Sequence, residues 1–100
     1  MTAYIVARIT ITDPETYSVY GASFMEIFSR YGGKLLAVDE APEIIEGEWP
    51  CTRTVLLEFP DKDMMREWYN SPDYQALAQH RFAASTANIV LLSGFNPPSA

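Results

Sequence analysis

The residues that most often carry metal and nucleophile chemistry are nearly absent. Among 100 residues there is one histidine, His80, and one cysteine, Cys51. A zinc or haem site normally draws on several Cys or His ligands at suitable spacing, so no metal site and no cofactor is expected. A single cysteine cannot close an internal disulfide, which agrees with a reducing compartment. Positive charge is also scarce: seven Lys and Arg stand against 13 Asp and Glu, for a net charge of −6. Phosphate backbones repel such a surface, which argues against nucleic acid as a partner. No run approaches the roughly 20 apolar residues that cross a bilayer, so no membrane partner is expected. Met1-Thr2-Ala3-Tyr4 leads straight into a strand pattern, without the basic stretch and apolar core of a signal peptide. The expected location is cytoplasmic. There is no phosphate-binding glycine loop, no arguable Ser-His-Asp order, no internal repeat and no low-complexity segment.

Apolar residues, by contrast, are plentiful, at 48% of the chain with 13% aromatic. That is rich for one small domain, expected over residues 1–95 with a frayed tail at 96–100. Either the core is dense, or a second copy covers part of the apolar surface.

Ala3–Ile11 reads as the first strand, with Ile5, Ala7, Ile9 and Ile11 on one wholly apolar face and Tyr4, Val6, Arg8 and Thr10 on the other. A helix starts near Asp13-Pro14. Asp13 can cap it with Pro14 at its first position, or Thr12 and Glu15 can form a capping box. Tyr17, Tyr20, Phe24, Ile27 and Tyr31 recur at helical steps, and Gly32-Gly33 supplies the stop. Lys34–Val38 is the second strand. Pro42 interrupts it, which suggests a bend or an edge, and Glu43–Glu46 is a candidate resumption. Thr52–Phe59 is the third strand, with Arg53, Val55, Leu57 and Phe59 on one face. A second helix follows Pro60-Asp61 and carries Met64, Met65, Trp68 and Tyr69. It breaks at Asn70-Ser71-Pro72, where Ser71 caps a third helical piece whose inner residues are expected to be Leu77, Ala78 and Phe82. Asn88–Phe95 is the fourth strand. Ile89, Val90, Leu91 and Leu92 make it apolar on both faces, the mark of a central strand or one covered on both sides.

The order βαββαβ predicts an α+β, ferredoxin-like sandwich: an antiparallel sheet with helices on one face. The other face carries enough apolar side chains to need a cover, and no segment remains to supply it. A homodimer packed sheet face to sheet face is the expected solution.

Several groups of residues, taken in order, carry a resemblance over residues 3–95. They are Ala3-Tyr4 with Ala7-Arg8, Thr12-Asp13-Pro14, Tyr17 with Tyr20, Arg30-Tyr31-Gly32-Gly33, Glu46-Gly47 with Trp49, Glu58-Phe59-Pro60, Trp68-Tyr69, Ser71-Pro72 with Tyr74-Gln75, Arg81, and Ala84-Ser85-Thr86. Together they resemble the family called domain of unknown function 1330, within the dimeric α/β-barrel superfamily. The resemblance implies a ferredoxin-like subunit and a face-to-face dimer closing a barrel. It implies no activity, because that superfamily spans cofactor-free monooxygenases, haem-degrading enzymes, isomerases and stress proteins.

Candidate ligand-binding residues each carry two readings. Tyr20, with Tyr17, either points a phenol into a cleft or packs in the core with its hydroxyl on a local partner. Arg8 and Arg53 sit in strands, where an inward guanidinium needs an anion. Glu58 is the available internal partner, and a substrate carboxylate is the alternative. Trp68, Ser71, Tyr74 and Arg81 cluster around the broken helix, which either opens a pocket wall or is simply a good Ser-Pro helix start. His80 lies in a polar stretch near a helix end. The acids Asp39, Glu40, Glu43, Glu46 and Glu48 read as a solvated edge that discourages strand addition.

Three functions are compatible with this pattern. One is a small-molecule-binding homodimer. A second is a cofactor-free enzyme, monooxygenase- or isomerase-like, acting on a small aromatic or unsaturated organic acid. In it Tyr20 would position the substrate, Arg8 or Arg53 would hold its carboxylate, and Tyr74 or His80 would move a proton. The third is a structural or stress-related dimer without a ligand.

Overall fold

A computed structural model describes residues 2–95. Met1 and residues 96–100, including the tail expected to fray, lie outside the described residues. The elements run β1 (Ala3–Ile11), α1 (Pro14–Phe28), β2 (Lys34–Asp39), β3 (Arg53–Phe59), α2 (Lys62–Asn70), α3 (Pro72–Ala84) and β4 (Ser85–Ser93). The strands form one antiparallel sheet in the order β2-β3-β1-β4, so the chain has the α+β ferredoxin-like fold.

Local chemistry sets the helix boundaries. Asp13, not a Thr12–Glu15 box, caps α1: its carboxylate accepts from the Thr16 N–H at 3.2 Å and the Thr16 hydroxyl at 2.7 Å, with Pro14 following. Thr12 instead donates its N–H and hydroxyl to the Ala84 carbonyl, at 2.8 and 3.0 Å, tying the start of α1 to the end of α3. After Phe28 the chain tightens into a 3-10 turn, Ser29–Tyr31, and stops at Gly32, whose φ of 73° is open to glycine at little cost. Asp61 caps α2 by accepting from the Met64 N–H at 2.8 Å. Ser71 serves both sides of the helix break. Its hydroxyl donates to the Trp68 carbonyl at 2.8 Å and accepts from the Tyr74 N–H at 3.2 Å.

Cross-strand register sorts the sheet into rows. Toward the helices lie Leu91–Ile5–Leu57–Leu35 and Ile89–Ala7–Val55–Val38. On the open face the row Val90–Val6–Leu56–Ala37 is apolar across all four strands. It is flanked by Leu92–Tyr4–Glu58–Lys34 on one side and Asn88–Arg8–Thr54–Asp39 on the other. The core sits between helices and sheet, built from Ile5, Ala7 and Ile9 of β1, Leu57 and Phe59 of β3, and the aromatics Tyr17, Tyr20, Phe28, Trp68 and Tyr74.

Three expectations need correction. β4 is an edge strand rather than a central one, and its open-face residues Val90 and Leu92 are 52% and 46% exposed. Apolar content on both faces therefore signals a bare surface here, not a central place in the sheet. Glu43–Glu46 does not resume β2, because the chain leaves the sheet after Asp39 and rejoins it at Arg53. Phe82 is 48% exposed, and Arg81 takes the inner position. The inward stripe of α3 runs Tyr74, Leu77, Ala78, Arg81, Ala84, a strict three- and four-residue spacing that turns Phe82 outward.

Candidate cleft between helix and sheet

The layer between helices and sheet is not filled evenly. Toward one end, Phe24, Phe28, Phe59, Trp68 and Tyr74 pack ring against ring, with Trp68 at 4.1 Å from Tyr74 and 5.3 Å from Phe59 between centroids. Toward α1's middle and first half the layer is open. Ala7 lies in the sheet and Gly21 in α1, and between them a cleft of about 190 Å³ opens. Its floor is the apolar rows of the sheet, and Phe24 and Met25 of α1 form part of its roof. Among the described residues, only Tyr17, Tyr20, Arg53 and Arg81 bring polar side-chain N or O atoms to it. Neither a carboxylate nor an imidazole is among these lining residues.

The two ends of the cleft differ in charge. Arg81, 4% exposed, stands at the α3 side. Its guanidinium carbon lies 5.8 Å from the centre of the Tyr20 ring and 4.8 Å from that of Phe82. Its Nε has no hydrogen-bond partner, and no carboxylate among the described residues forms an ion pair with it. Beside it the Tyr20 and Tyr74 hydroxyls meet at 2.8 Å, buried. Burial, reinforced by the adjacent Tyr74, pushes the Tyr20 phenol far above the ordinary tyrosine range, so it stays neutral and able to donate. At the other end Arg53 lies over Tyr17 at 5.3 Å and is held by Glu40, whose Oε1 accepts from its Nε at 2.9 Å. Burial raises the Tyr17 phenol as well, with Arg53 opposing it.

Of the residues singled out by sequence, Tyr20, Tyr74, Arg53 and Arg81 gather at this cleft, Tyr74 through its hydroxyl contact with Tyr20. Others lie elsewhere. Arg8 is on the open sheet face, over the Trp49 ring at 5.0 Å. Glu58 shares that face and pairs with Lys34 at 3.7 Å, so it is not the partner of either strand arginine. The partner of Arg53 is Glu40, so this acid of the expected solvated edge is tied into an ion pair. Trp68 is enclosed by rings and Ser71 is spent on helix capping. His80 is exposed on α3. Gly21 and Glu40 were not among the candidates. A glycine in mid-helix was the available signal for the first, and nothing local marked the second.

The family's sequence profile, described as a domain of unknown function, matches residues 2–95. The chain belongs to the DUF1330 family. No protein of curated function matches the sequence. Among solved structures, the DUF1330 chain is similar to RPA0582, a protein of unknown function from Rhodopseudomonas palustris. The TM-score is 0.82 at 19% identity, covering 96% of this chain and 84% of that one. It is also similar to SnoaB, a cofactor-independent oxygenase from Streptomyces nogalater, with a TM-score of 0.68 at 19% identity over 96% and 95% of the two chains. A dimeric ferredoxin-like protein of unknown function from Thermobifida fusca gives a TM-score of 0.64 at 12% identity over 93% and 91%. At these identities the likeness is one of fold. No described helix is long and apolar enough to cross a membrane.

Proposed function

We propose that this DUF1330 protein is a homodimer that binds a small, mainly apolar organic acid in the cleft of each subunit, with the acid's single anionic group against Arg81. The observation that carries this reading is Arg81 itself. A guanidinium buried among aromatic rings costs several kcal/mol or more unless an anion meets it, and no carboxylate among the described residues does. Tyr20, a neutral phenol beside it, adds a hydrogen-bond donor. A cleft of about 190 Å³ suits one substituted ring rather than a drug-sized ligand. At the opposite end Glu40 already neutralises Arg53, so the ligand's charge belongs at Arg81 and not at Arg53 or Arg8.

The dimer rests on the open sheet face. An edge strand with Val90 and Leu92 bare, joined to an apolar row across the sheet, is a surface that a second copy would cover. Residues 1–95 act as the single domain in this reading. The cytoplasm, where the one cysteine Cys51 stays reduced, is its proposed location.

Binding is favoured over catalysis because the lining supplies no ionised base. A cofactor-free oxygenase is the second reading, favoured by the fold shared with SnoaB, and it requires a substrate acidic enough to ionise beside Arg81 unaided. The test is calorimetric titration with 4-(trifluoromethyl)benzoate and with 4-(trifluoromethyl)benzyl alcohol. The acid is expected to bind about tenfold tighter or more, the usual margin of a charge-assisted contact. Equal binding, or none by the acid, contradicts the reading. Oxygen uptake with 1-naphthol above its uncatalysed rate would transfer the assignment to the oxygenase.

A further inference from the structure

The floor of the cleft has a direction. Its row Ile89–Ala7–Val55–Val38 crosses the whole sheet, from the edge strand β4 to the edge strand β2, and all four side chains line the cleft. Neighbouring strands stand about 4.8 Å apart, so this floor runs about 14 Å from edge to edge. Arg81 marks its inner end. It lies one turn before Ala84, whose carbonyl accepts the Thr12 N–H just after β1, and that places it on the β1 and β4 side. At the β2 edge the cleft opens to solvent between α1 and β2. Met25, Leu35 and Val38 line it there and are 47%, 42% and 44% exposed. None of these three carries a side-chain N or O. Single exposed apolar residues need no explanation, but these continue a buried apolar floor out to water. A lone aryl ring held at Arg81 stops short of this rim.

We propose that the ligand is a monoacid with an unbranched alkyl tail, its carboxylate at Arg81 and its tail crossing the sheet to leave between α1 and β2 over Met25, Leu35 and Val38. This rests on the reading that the cleft holds an organic acid at Arg81, and it names the class of acid. The charge pattern supports it: a cation without a carboxylate partner among the described residues stands at the inner end, and only apolar side chains stand at the rim. A second polar group at the far end of the ligand would lie against that apolar rim unpaired, and a compact ring would leave it bare. An alkyl tail covers it and gains apolar burial with every methylene that reaches it.

The test is calorimetric titration of the full chain with 4-methylbenzoate and 4-hexylbenzoate, for wild type, Leu35→Thr and Met25→Gln, with Tm measured in parallel. In wild type the hexyl acid is expected to bind at least about thirtyfold tighter, from about twofold for each added methylene, half the free energy of full burial. Leu35→Thr and Met25→Gln are each expected to lower that ratio about threefold or more. A ratio that neither substitution changes overturns the path over this rim. So does binding of 4-methylbenzoate with no gain for the hexyl acid, as when a partner copy covers the rim. Both outcomes leave the reading of an acid at Arg81 intact, whereas no binding of either acid by wild type overturns both. Should Leu35→Thr lose Tm, Met25→Gln decides, because it keeps side-chain length and helix propensity at a half-exposed position of α1.

Discussion

The same layer between helices and sheet is solid at one end and hollow at the other. Around Trp68 the rings of Phe24, Phe28, Phe59 and Tyr74 interlock at centroid distances of 4.1 to 6.0 Å. Beside Ala7 and Gly21 the rings of Tyr17, Tyr20 and Phe24 meet along one wall only, at 5.5 and 5.6 Å, and leave a space lined mainly by apolar atoms and ended by two arginines of opposite situation. The difference separates stability from function. The aromatic end holds the helices on the sheet, and the hollow end keeps a volume open together with a buried positive charge that no carboxylate among the described residues meets. A polar cluster built for stability alone would have matched Arg81 with a carboxylate, as Arg53 is matched with Glu40.

The largest effect is expected at the solid end. Trp68→Ala should cost about 3–5 kcal/mol of unfolding free energy, the usual range for removing a large buried aromatic, as read by urea denaturation. A loss below about 1 kcal/mol would mean that the ring packing is not what holds α2 and α3 down. At the hollow end Tyr20→Phe removes one buried hydroxyl contact and should cost only about 1 kcal/mol. It should also weaken acid binding, by calorimetry.

Alkaline pH should sharpen the contrast further. The folded-state phenols of Tyr20 and Tyr17 are raised above the unfolded value of about 10. Their neutral, buried state therefore contributes its full stability below pH ~10, and that contribution is lost as pH rises beyond it, because only the unfolded chain then releases these protons. The Tm of wild type should fall more steeply above pH ~10 than that of Tyr20→Phe, and parallel curves would count against the buried phenol. The smallest effect belongs to the outer pair. Glu40→Gln should change stability by less than about 1 kcal/mol, since Glu40 is largely exposed. It should raise the affinity for the acid slightly by freeing Arg53 as a second anion contact.

Much of this architecture could be read from residue order. Period-two and helical spacing, with Asp13-Pro14, Gly32 and Ser71-Pro72 as punctuation, place every strand and helix, although β4 begins at Ser85, three residues before the expected Asn88, and ends at Ser93 rather than Phe95. β4 misled because burial on both faces and bareness on one have the same composition, and sequence does not distinguish them. Arg81 was a candidate for its neighbours, yet its inward direction follows only when the Tyr74–Leu77–Ala78 spacing is carried on past the bulky Phe82. Two features lay beyond local pattern. The Arg53–Glu40 pair joins residues 13 apart across a loop. The cleft exists because Ala7 and Gly21 come from different elements and leave space together.

Affinity of 4-(trifluoromethyl)benzoate for Arg81→Met, set against wild type and against the matching benzyl alcohol, tests the central claim most directly. The account predicts that the variant folds with a Tm at least equal to wild type, since a buried charge that no carboxylate among the described residues meets has been replaced by an apolar chain. It also predicts that the preference for acid over alcohol disappears. A variant that folds and still prefers the acid would contradict the assignment of Arg81 as the anion's partner.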